Sequence, residues 1–194
     1  MRELLYRLKD RYHLGTPTFQ RDDLTFVTVK RDELRAILTE LRDVEGFTHL
    51  TFLTAVDWIE EGLFQLTYMI NNREANQSLG LRVMLTREDE PGATTGDTIH
   101  DLWPTAATYQ RELNEMFGIN FPGSPRVDEE FILEGWTDLP PYRRDFDTLA
   151  YSQQTYRERP GRGRSDPKAH MQETLYPDYP KPREAAHAHK EEAK

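Results

Sequence analysis

The apolar residues follow two different periods along the first 120 residues, and these periods predict a mixed helix and strand domain. The run Arg31–Asp43 has leucine or isoleucine at i, i+3, i+4 and i+7, the spacing of one buried helix face. A first helix is predicted over residues 1–14 and a third from about Pro104 to Phe117, with Gly118 suited to end it. Alternating, β-branched runs predict strands over residues 24–30, 47–58, 63–71 and 79–86.

The order of these elements predicts the fold class. A helix, a strand and a helix precede three strands joined by short polar turns, which favours hairpin pairing. We therefore expect an α+β fold, a two-layer sandwich of helices on a small, mostly antiparallel or mixed sheet, with an irregular C-terminal extension. The predicted organisation is a core domain over residues 1–122, an irregular docking segment over 123–150 and an extended tail over 151–194.

The composition of the tail indicates that it requires partner proteins to become ordered. Residues 151–194 contain no Val, Ile, Phe or Trp, and they include five prolines and four tyrosines. Such a segment buries too little apolar surface to offset about 1–2 kcal/mol per residue of backbone ordering. Tyrosines are good interface anchors, so we expect the tail to wrap partner proteins.

Charge and cysteine content exclude several classes of protein. The net charge of −9 argues against a nucleic-acid partner, since phosphate binding requires a basic face, and against docking on anionic lipid. The chain has no cysteine, so it has no thiol nucleophile and no thiolate ligand for an iron–sulfur cluster. No apolar run reaches the roughly 18–20 residues of a membrane span, and the charged N-terminus lacks a signal core. These features predict a cytosolic or peripheral protein.

Arg111, Glu112 and Glu115 form the candidate acid/base cluster on the third predicted helix. They are compatible with general acid/base catalysis, but Arg111 and Glu115 also have the i, i+4 spacing of an ordinary surface ion pair. No histidine pair has the spacing of a helical zinc site, and no phosphate-binding glycine motif is present. We therefore predict no metal, no cofactor and no catalytic residue, and favour a structural role for the cluster.

A second charged run lies at Pro140–Asp147, with the sequence PPYRRDFD. The prolines impose extended backbone on the residues before them, and the planar guanidinium groups of Arg143 and Arg144 suit interfacial carboxylates. The alternative is an exposed charged run of little energetic weight. The flanking Tyr142 and Phe146 favour a rigid docking element.

The two charged runs together resemble a known family. The run QRELNEMFGINFPGSP is similar to the signature of the 30 kDa subunit of respiratory complex I, also called its C-type subunit, which reads Glu-Arg-Glu near its start and ends in Gly-His-Pro. The PYRRDF run resembles the second part of that signature. The matching positions are Arg111, Glu112, Met116, Gly118, Ile119, Phe121, Gly123, Pro125, Pro141, Arg143, Arg144 and Asp145. Upstream strands and the third helix extend the resemblance over roughly residues 20–150.

Three positions depart from the family pattern. Gln110 stands where the family has Glu, Glu115 where it has Asp, and Ser124 where it usually has His. The serine indicates that the histidine of the family is not essential chemistry in this chain. These departures bear on the branch of the family, because related subunits occur in membrane-bound [NiFe] hydrogenases and formate hydrogenlyases.

The resemblance implies a subunit without a redox centre in the peripheral arm of a NADH:quinone oxidoreductase. Its expected partners are the D-type (49 kDa) subunit, the B- and I-type subunits of the connecting module and, indirectly, the membrane arm. FMN, iron–sulfur clusters, NADH and quinone belong to those partners. The implied location is the cytoplasmic face of a bacterial or archaeal membrane. Two alternatives stay open: the equivalent hydrogenase subunit, and a free-standing acid/base enzyme using Glu112 and Glu115.

Overall fold

The structure is a computed structural model that describes residues 1–156. The chain divides into two compact units, residues 1–148 and the residues from Leu149 onward. Predictions for the tail beyond Tyr156 lie outside the described residues. In the described part of the second unit, the helix that begins at Thr148 continues to Thr155 and has no buried residue.

Four helices and five strands make up the described chain. The helices are α1 (Arg2–Lys9), α2 (Arg31–Asp43), α3 (Ala106–Phe117) and α4 (Thr148–Thr155). The strands are β1 (Thr18–Arg21), β2 (Leu24–Thr28), β3 (His49–Trp58), β4 (Leu63–Asn72) and β5 (Gln77–Thr86). A short 3-10 turn, Ile59–Glu61, joins β3 to β4.

The strands form one mixed sheet in the order β1-β2-β5-β4-β3. The hairpins β3–β4 and β4–β5 are antiparallel, as is β1–β2, whereas β2 lies parallel to β5. The sheet therefore pairs β2 with β5, although about 50 residues separate the two strands along the chain. This pairing is a long-range contact. The α+β fold class and the mixed sheet are confirmed.

The core lies on one face of this sheet, which we call the inner face. Leu53 on β3, Leu66 on β4 and Val83 on β5 are at most 3% exposed. Alternate residues of the same strands, such as Ala55, Phe64 and Leu81, are also buried. The apolar sides of α1, α2 and α3 pack into the same cluster. Helix α2 contributes Leu34, Ile37, Leu38 and Leu41, the stripe that its sequence period predicts.

Several element predictions need correction. The first helix ends at Lys9 rather than near residue 14, and α3 begins at Ala106 rather than Pro104. Strand β1 was not predicted, because all four of its residues are exposed and carry no alternation. Helix α4 was not predicted either, because without a buried residue its sequence has no apolar stripe.

Within residues 1–156, none of the helices combines the length and the apolar character that crossing a bilayer requires.

Candidate functional site

The two charged runs of the sequence meet in space. The backbone N–H of Tyr142 donates to the carbonyl of Met116 in the last turn of α3, at 2.9 Å. The rings of Tyr142 and Phe117 pack edge to face with centroids 5.6 Å apart. We call this contact, between residues 116–118 and 140–146, the signature junction.

Gly118 ends α3 as the sequence predicts, in a left-handed backbone conformation. Its φ is +71°, and its N–H donates to the carbonyl of Asn114 at 2.9 Å. A Cβ on Gly118 would lie 2.9 Å from Cβ of Pro91 and 3.0 Å from its Cα. Only glycine combines the left-handed backbone with this close approach. The chain after α3 is thereby directed toward the buried Phe121.

Buried charges lie beside the junction, on the inner face of the sheet. Asp57 continues the inward-facing series of β3, and Arg87 follows β5 in phase with its inward residues. The Arg87 guanidinium donates to both carboxylate oxygens of Asp57, with Nε to Oδ1 at 2.8 Å and the second bond at 3.3 Å. The two side chains are 4% and 1% exposed. Together with Arg143 and Asp145, this pair forms the buried charge cluster.

Arg143 is the second arginine of the cluster, and its side chain is 1% exposed. Its guanidinium donates to the backbone carbonyl of Glu88 at 2.8 Å, and its Nε lies 3.5 Å from Oδ1 of Asp145. The ring of Phe64 contacts both arginines, since the guanidinium carbons of Arg87 and Arg143 lie 5.5 and 5.6 Å from its centroid. Arg143 is therefore buried within this chain, where its Nε has no hydrogen-bond partner among the described residues, and its role in docking a partner stays a prediction.

Arg144 and Asp145 connect the cluster to the surface. The backbone N–H of Arg144 donates to Asp57 Oδ2 at 2.9 Å, while its exposed guanidinium pairs with Glu60. Asp145 accepts from the Arg87 guanidinium at 2.7 Å and is 36% exposed. Desolvation works to raise the pKa of Asp145, but the hydrogen bond from Arg87 and further contacts outweigh it, so the pKa lies below its ordinary value.

The same competition acts on the Arg87 guanidinium. Burial works to lower its pKa, but the hydrogen bonds to Asp57 and Asp145 outweigh this effect and raise the pKa above its ordinary value. The Arg87 cation and the Asp145 anion are therefore held in their charged forms near neutral pH.

Glu115 does not form the predicted helical ion pair. Its carboxylate accepts hydrogen bonds from three consecutive backbone N–H groups, those of Phe131, Ile132 and Leu133, at 2.6, 2.8 and 3.1 Å. The Arg111 guanidinium lies over the Phe131 ring, 5.0 Å from its centroid. No ion pair joins Arg111 to Glu115 within the described chain. Both side chains instead hold the segment 131–133 against α3.

The other residues of the predicted site lie around α3 and in the turn that follows it. Ser124 is buried, and Glu112 and Pro141 are partly buried, whereas Gly123 and Pro125 are exposed. Gly123 has a φ of +86°, which favours glycine in the turn after α3. The signature residues thus divide into a buried framework around α3 and a turn at its surface.

The sequence reading missed Asp57, Arg87 and Phe64. The signal was present: Asp57 and Arg87 occupy positions that alternate in phase with buried leucine and valine. A charged residue in phase with a buried strand face indicates a paired buried charge, because an unpaired one is too costly. Phe64 carries no signal that distinguishes it from other core residues.

The arginines of the second run should differ in their effect on stability. Arg143→Ala removes a hydrogen bond to a backbone carbonyl and the packing on Phe64, and we expect a loss of about 1–3 kcal/mol in the free energy of unfolding. Arg144→Ala keeps the backbone N–H that binds Asp57, so we expect little change. Urea unfolding of both variants measures the difference. Equal losses would contradict the assignment of Arg143 as the internal residue.

The acidic groups of this site are held by other groups of the same chain. The carboxylates of Asp57, Asp145 and Glu115 are all bonded to guanidinium or backbone N–H groups of this chain. Within residues 1–156, no group of three or more His, Asp or Glu side chains is placed to hold a metal ion. The framework fixes the path of residues 116–146 over the sheet.

Comparison with known proteins identifies the family. The family described as "Respiratory-chain NADH dehydrogenase, 30 Kd subunit" matches residues 27–152, a range that includes both the charge cluster and the signature junction. The chain belongs to this family. The resemblance seen in the two charged runs is thereby confirmed, and the match extends from β2 into α4.

Curated relatives are named for the same family. The NADH-quinone oxidoreductase C subunit of Moorella thermoacetica is 30% identical over 126 residues, which is 64% of this chain and 80% of that protein. The NADH-quinone oxidoreductase C/D subunit 2 of Aquifex aeolicus is 31% identical over 158 residues, which is 78% of this chain but 25% of that longer protein. The chain therefore spans most of one relative and a quarter of the other.

A solved structure shares the fold of this family member. A chain of the membrane-bound sulfane sulfur reductase, described as an archaeal respiratory membrane complex, superimposes with a TM-score of 0.72 at 27% sequence identity. The similarity covers 80% of this chain and 90% of the other. The α+β core is thus common to a second kind of respiratory membrane complex.

Proposed function

We propose that this chain is a structural subunit of the peripheral arm of a complex I-type NADH:quinone oxidoreductase. The observation that carries the proposal is the arrangement of the family's charged signature: Glu115 and Arg143 bind backbone groups of this chain, and Asp145 binds Arg87. Charged side chains that are bonded within the chain stabilise the fold, and they are not available to bind a substrate. The absence of cysteine from the sequence is consistent with clusters ligated by partner subunits.

In this role the subunit supports electron transfer from NADH through iron–sulfur clusters to quinone, coupled to ion translocation, by holding its neighbours in place. FMN, clusters, NADH and quinone bind to those neighbours. We propose a peripheral position on the cytoplasmic face of a bacterial or archaeal membrane. The regions 123–150 and 151–194 are proposed to contact partners, with Arg144 and Asp145 as the exposed charges of the second signature run.

The proposed direct partners are a D-type (49 kDa) subunit and the B- and I-type subunits. The fused C/D protein of Aquifex aeolicus supports the first of these, because one polypeptide carries both names there. Fusion of two chains is tolerated where the two domains stay together in the assembly. The B- and I-type partners are proposed from the family resemblance.

A second candidate function is the equivalent subunit of a related membrane-bound complex. The similarity to a chain of the sulfane sulfur reductase favours it, because that similarity covers 90% of the other chain. A [NiFe] hydrogenase or formate hydrogenlyase subunit belongs to the same proposal. A free-standing acid/base enzyme is a weaker candidate, since the Glu115 carboxylate is already bound by three backbone N–H groups.

Affinity purification from native membranes tests these candidates. The full-length chain, tagged and solubilised in mild detergent, should be recovered with D-, B- and I-type subunits and with NADH-oxidising flavin subunits, as identified by mass spectrometry. Recovery with a nickel-bearing large subunit or a sulfur reductase would instead establish the second candidate. Recovery of the chain as a monomer, free of cluster-bearing subunits, would contradict both.

A further inference from the structure

The sheet has a second face, opposite the inner face, and no helix of residues 1–148 packs on it. Adjacent strands pair Val56 with Gln65 and Gln65 with Met84, which places these three side chains in one row on this outer face. Phe52 and Trp58 on β3 point the same way as Val56. We call the area defined by Phe52, Val56, Trp58 and Met84 the open sheet face.

The four apolar side chains that define the open sheet face are partly accessible, and the polar residues Thr54, Gln65 and Thr67 lie between them. Phe52, Val56, Trp58 and Met84 are 37%, 40%, 39% and 40% exposed, although they are four large apolar residues on two nearby strands. By comparison, the inward residues of the same strands are almost fully buried. Four large apolar side chains exposed on one part of a sheet indicate an interaction surface, because exposed apolar residues are normally scattered singly.

Charge is scarce on this face, in a chain whose residues are 30% charged. Arg82, paired with Thr67 and two residues before Met84, brings a charge to the outward series of β5. Its guanidinium lies over the Phe26 ring, 4.4 Å from the centroid, and so remains close to the sheet. Its Nε is buried without a hydrogen-bond partner among the described residues. Depletion of charge in the centre of a patch is typical of a permanent interface rather than a transient one.

We propose that the open sheet face is the surface that binds the D-type subunit. This inference rests on the proposed function, and it names the surface through which that function is carried out. A permanent partner is required, because an apolar sheet face of this kind promotes aggregation when it is free in water. The fused C/D relative indicates that the D-type chain is the partner that accompanies this domain permanently. Its contact area is expected to be uncharged and apolar, complementary to the four side chains.

A paired charge substitution tests the surface. Val56→Glu combined with Met84→Glu places two carboxylates on either side of Gln65 in this row, where docking would bury them without a counter-charge. With the full-length chain co-expressed with its D-type subunit, we expect the Kd between the two to rise at least about 100-fold. The melting temperature of the isolated variant should stay close to that of the parent, since both side chains are already exposed.

Val44→Glu is the matched control. Val44 is also an exposed apolar residue, at 73% exposure, but it follows α2 on the helical side of the sheet. We expect its Kd for the D-type subunit to stay within about twofold of the parent value, because exposed substitutions change little. A photo-crosslinking amino acid at position 58 should form a crosslink to the D-type subunit, whereas the same group at position 44 should not.

The possible results separate the two proposals. If the parent chain does not bind the D-type subunit, the proposed function fails and this inference fails with it. If the parent binds and the double variant binds equally well, the docking surface is wrong while the proposed function stands. Crosslinks from position 58 to a B- or I-type subunit, or a homodimer that the double variant abolishes while D-type binding persists, would each overturn the D-type assignment.

Discussion

Replacement of Asp57 by alanine is expected to lower the free energy of unfolding by about 3–5 kcal/mol, the largest effect of any single charge in the domain. The Asp57 carboxylate is 1% exposed, and it accepts from the Arg87 guanidinium at 2.8 Å and from the backbone N–H of Arg144 at 2.9 Å. Without it, the Arg87 cation loses its buried counter-charge. Urea unfolding of the purified chain, followed by circular dichroism, measures the loss.

Two further variants establish the cause of this effect. Asp57→Ala combined with Arg87→Leu removes both buried charges, and we expect it to be more stable than Asp57→Ala alone. Asp43→Ala removes a carboxylate that is 49% exposed and pairs with Arg42 at 2.6 Å, so we expect little change. A loss for Asp57→Ala no larger than that for Asp43→Ala would show that the cluster does not stabilise the fold.

Phe64→Ala is the second substitution with a large expected effect, a loss of about 3–5 kcal/mol in the free energy of unfolding. The ring is 0% exposed, and it packs edge to face on Phe117 with centroids 6.1 Å apart. The guanidinium groups of Arg87 and Arg143 also lie on the ring, at 5.5 and 5.6 Å from its centroid. Its removal leaves a cavity beside the buried charges, so the loss should exceed that of an ordinary core leucine. Urea unfolding measures it.

Phe52→Ala provides the control for Phe64→Ala, because it deletes the same side chain from the other face of the sheet. Phe52 is 37% exposed, so its removal from the isolated chain leaves no closed cavity. We expect a loss of less than half that of Phe64→Ala. Similar losses for the two phenylalanines would mean that the inner face is no better packed than the open sheet face, contrary to the structure.

The helices with one buried stripe were predictable from the sequence. Helix α2 spans the predicted run Arg31–Asp43, because the apolar period from Leu34 to Leu41 keeps one side of it against the core. Gly118 was predictable for a different reason, since a left-handed helix end favours glycine whatever surrounds it. Both features depend on local geometry alone.

Elements without a buried side were not predictable in the same way. Strand β1 exposes all four residues, Thr18–Arg21, so its existence depends on pairing with β2 rather than on its own sequence. Its partner β2 lies parallel to β5, far later in the chain, and this pairing closes the sheet. Alternation predicts that a strand exists, but it does not specify which strand it pairs with.

The candidate site, too, was only partly predictable from the sequence. The sequence indicated that Arg111, Glu115 and Arg143 matter, because they belong to two runs with a family signature. The partners of these residues were not predictable: Glu115 binds the backbone of residues 131–133, and Arg143 binds the carbonyl of Glu88. Almost every residue type supplies a backbone donor and acceptor, so the sequence does not show which backbone group a side chain will bind.

The sequence by itself determined the fold class, the family, the lack of cysteine and the end of α3 at Gly118, because each follows from residue types and their order along the chain. Only the tertiary structure decided that Asp57 and Arg87 form a buried pair, that Arg143 faces inward and that no helix of residues 1–148 covers the outer face of the sheet. These outcomes depend on contacts between residues 30 to 87 positions apart, as in the bonds from Arg87 and Arg144 to Asp57. Such contacts form only when the sheet and the segments that cover it pack together.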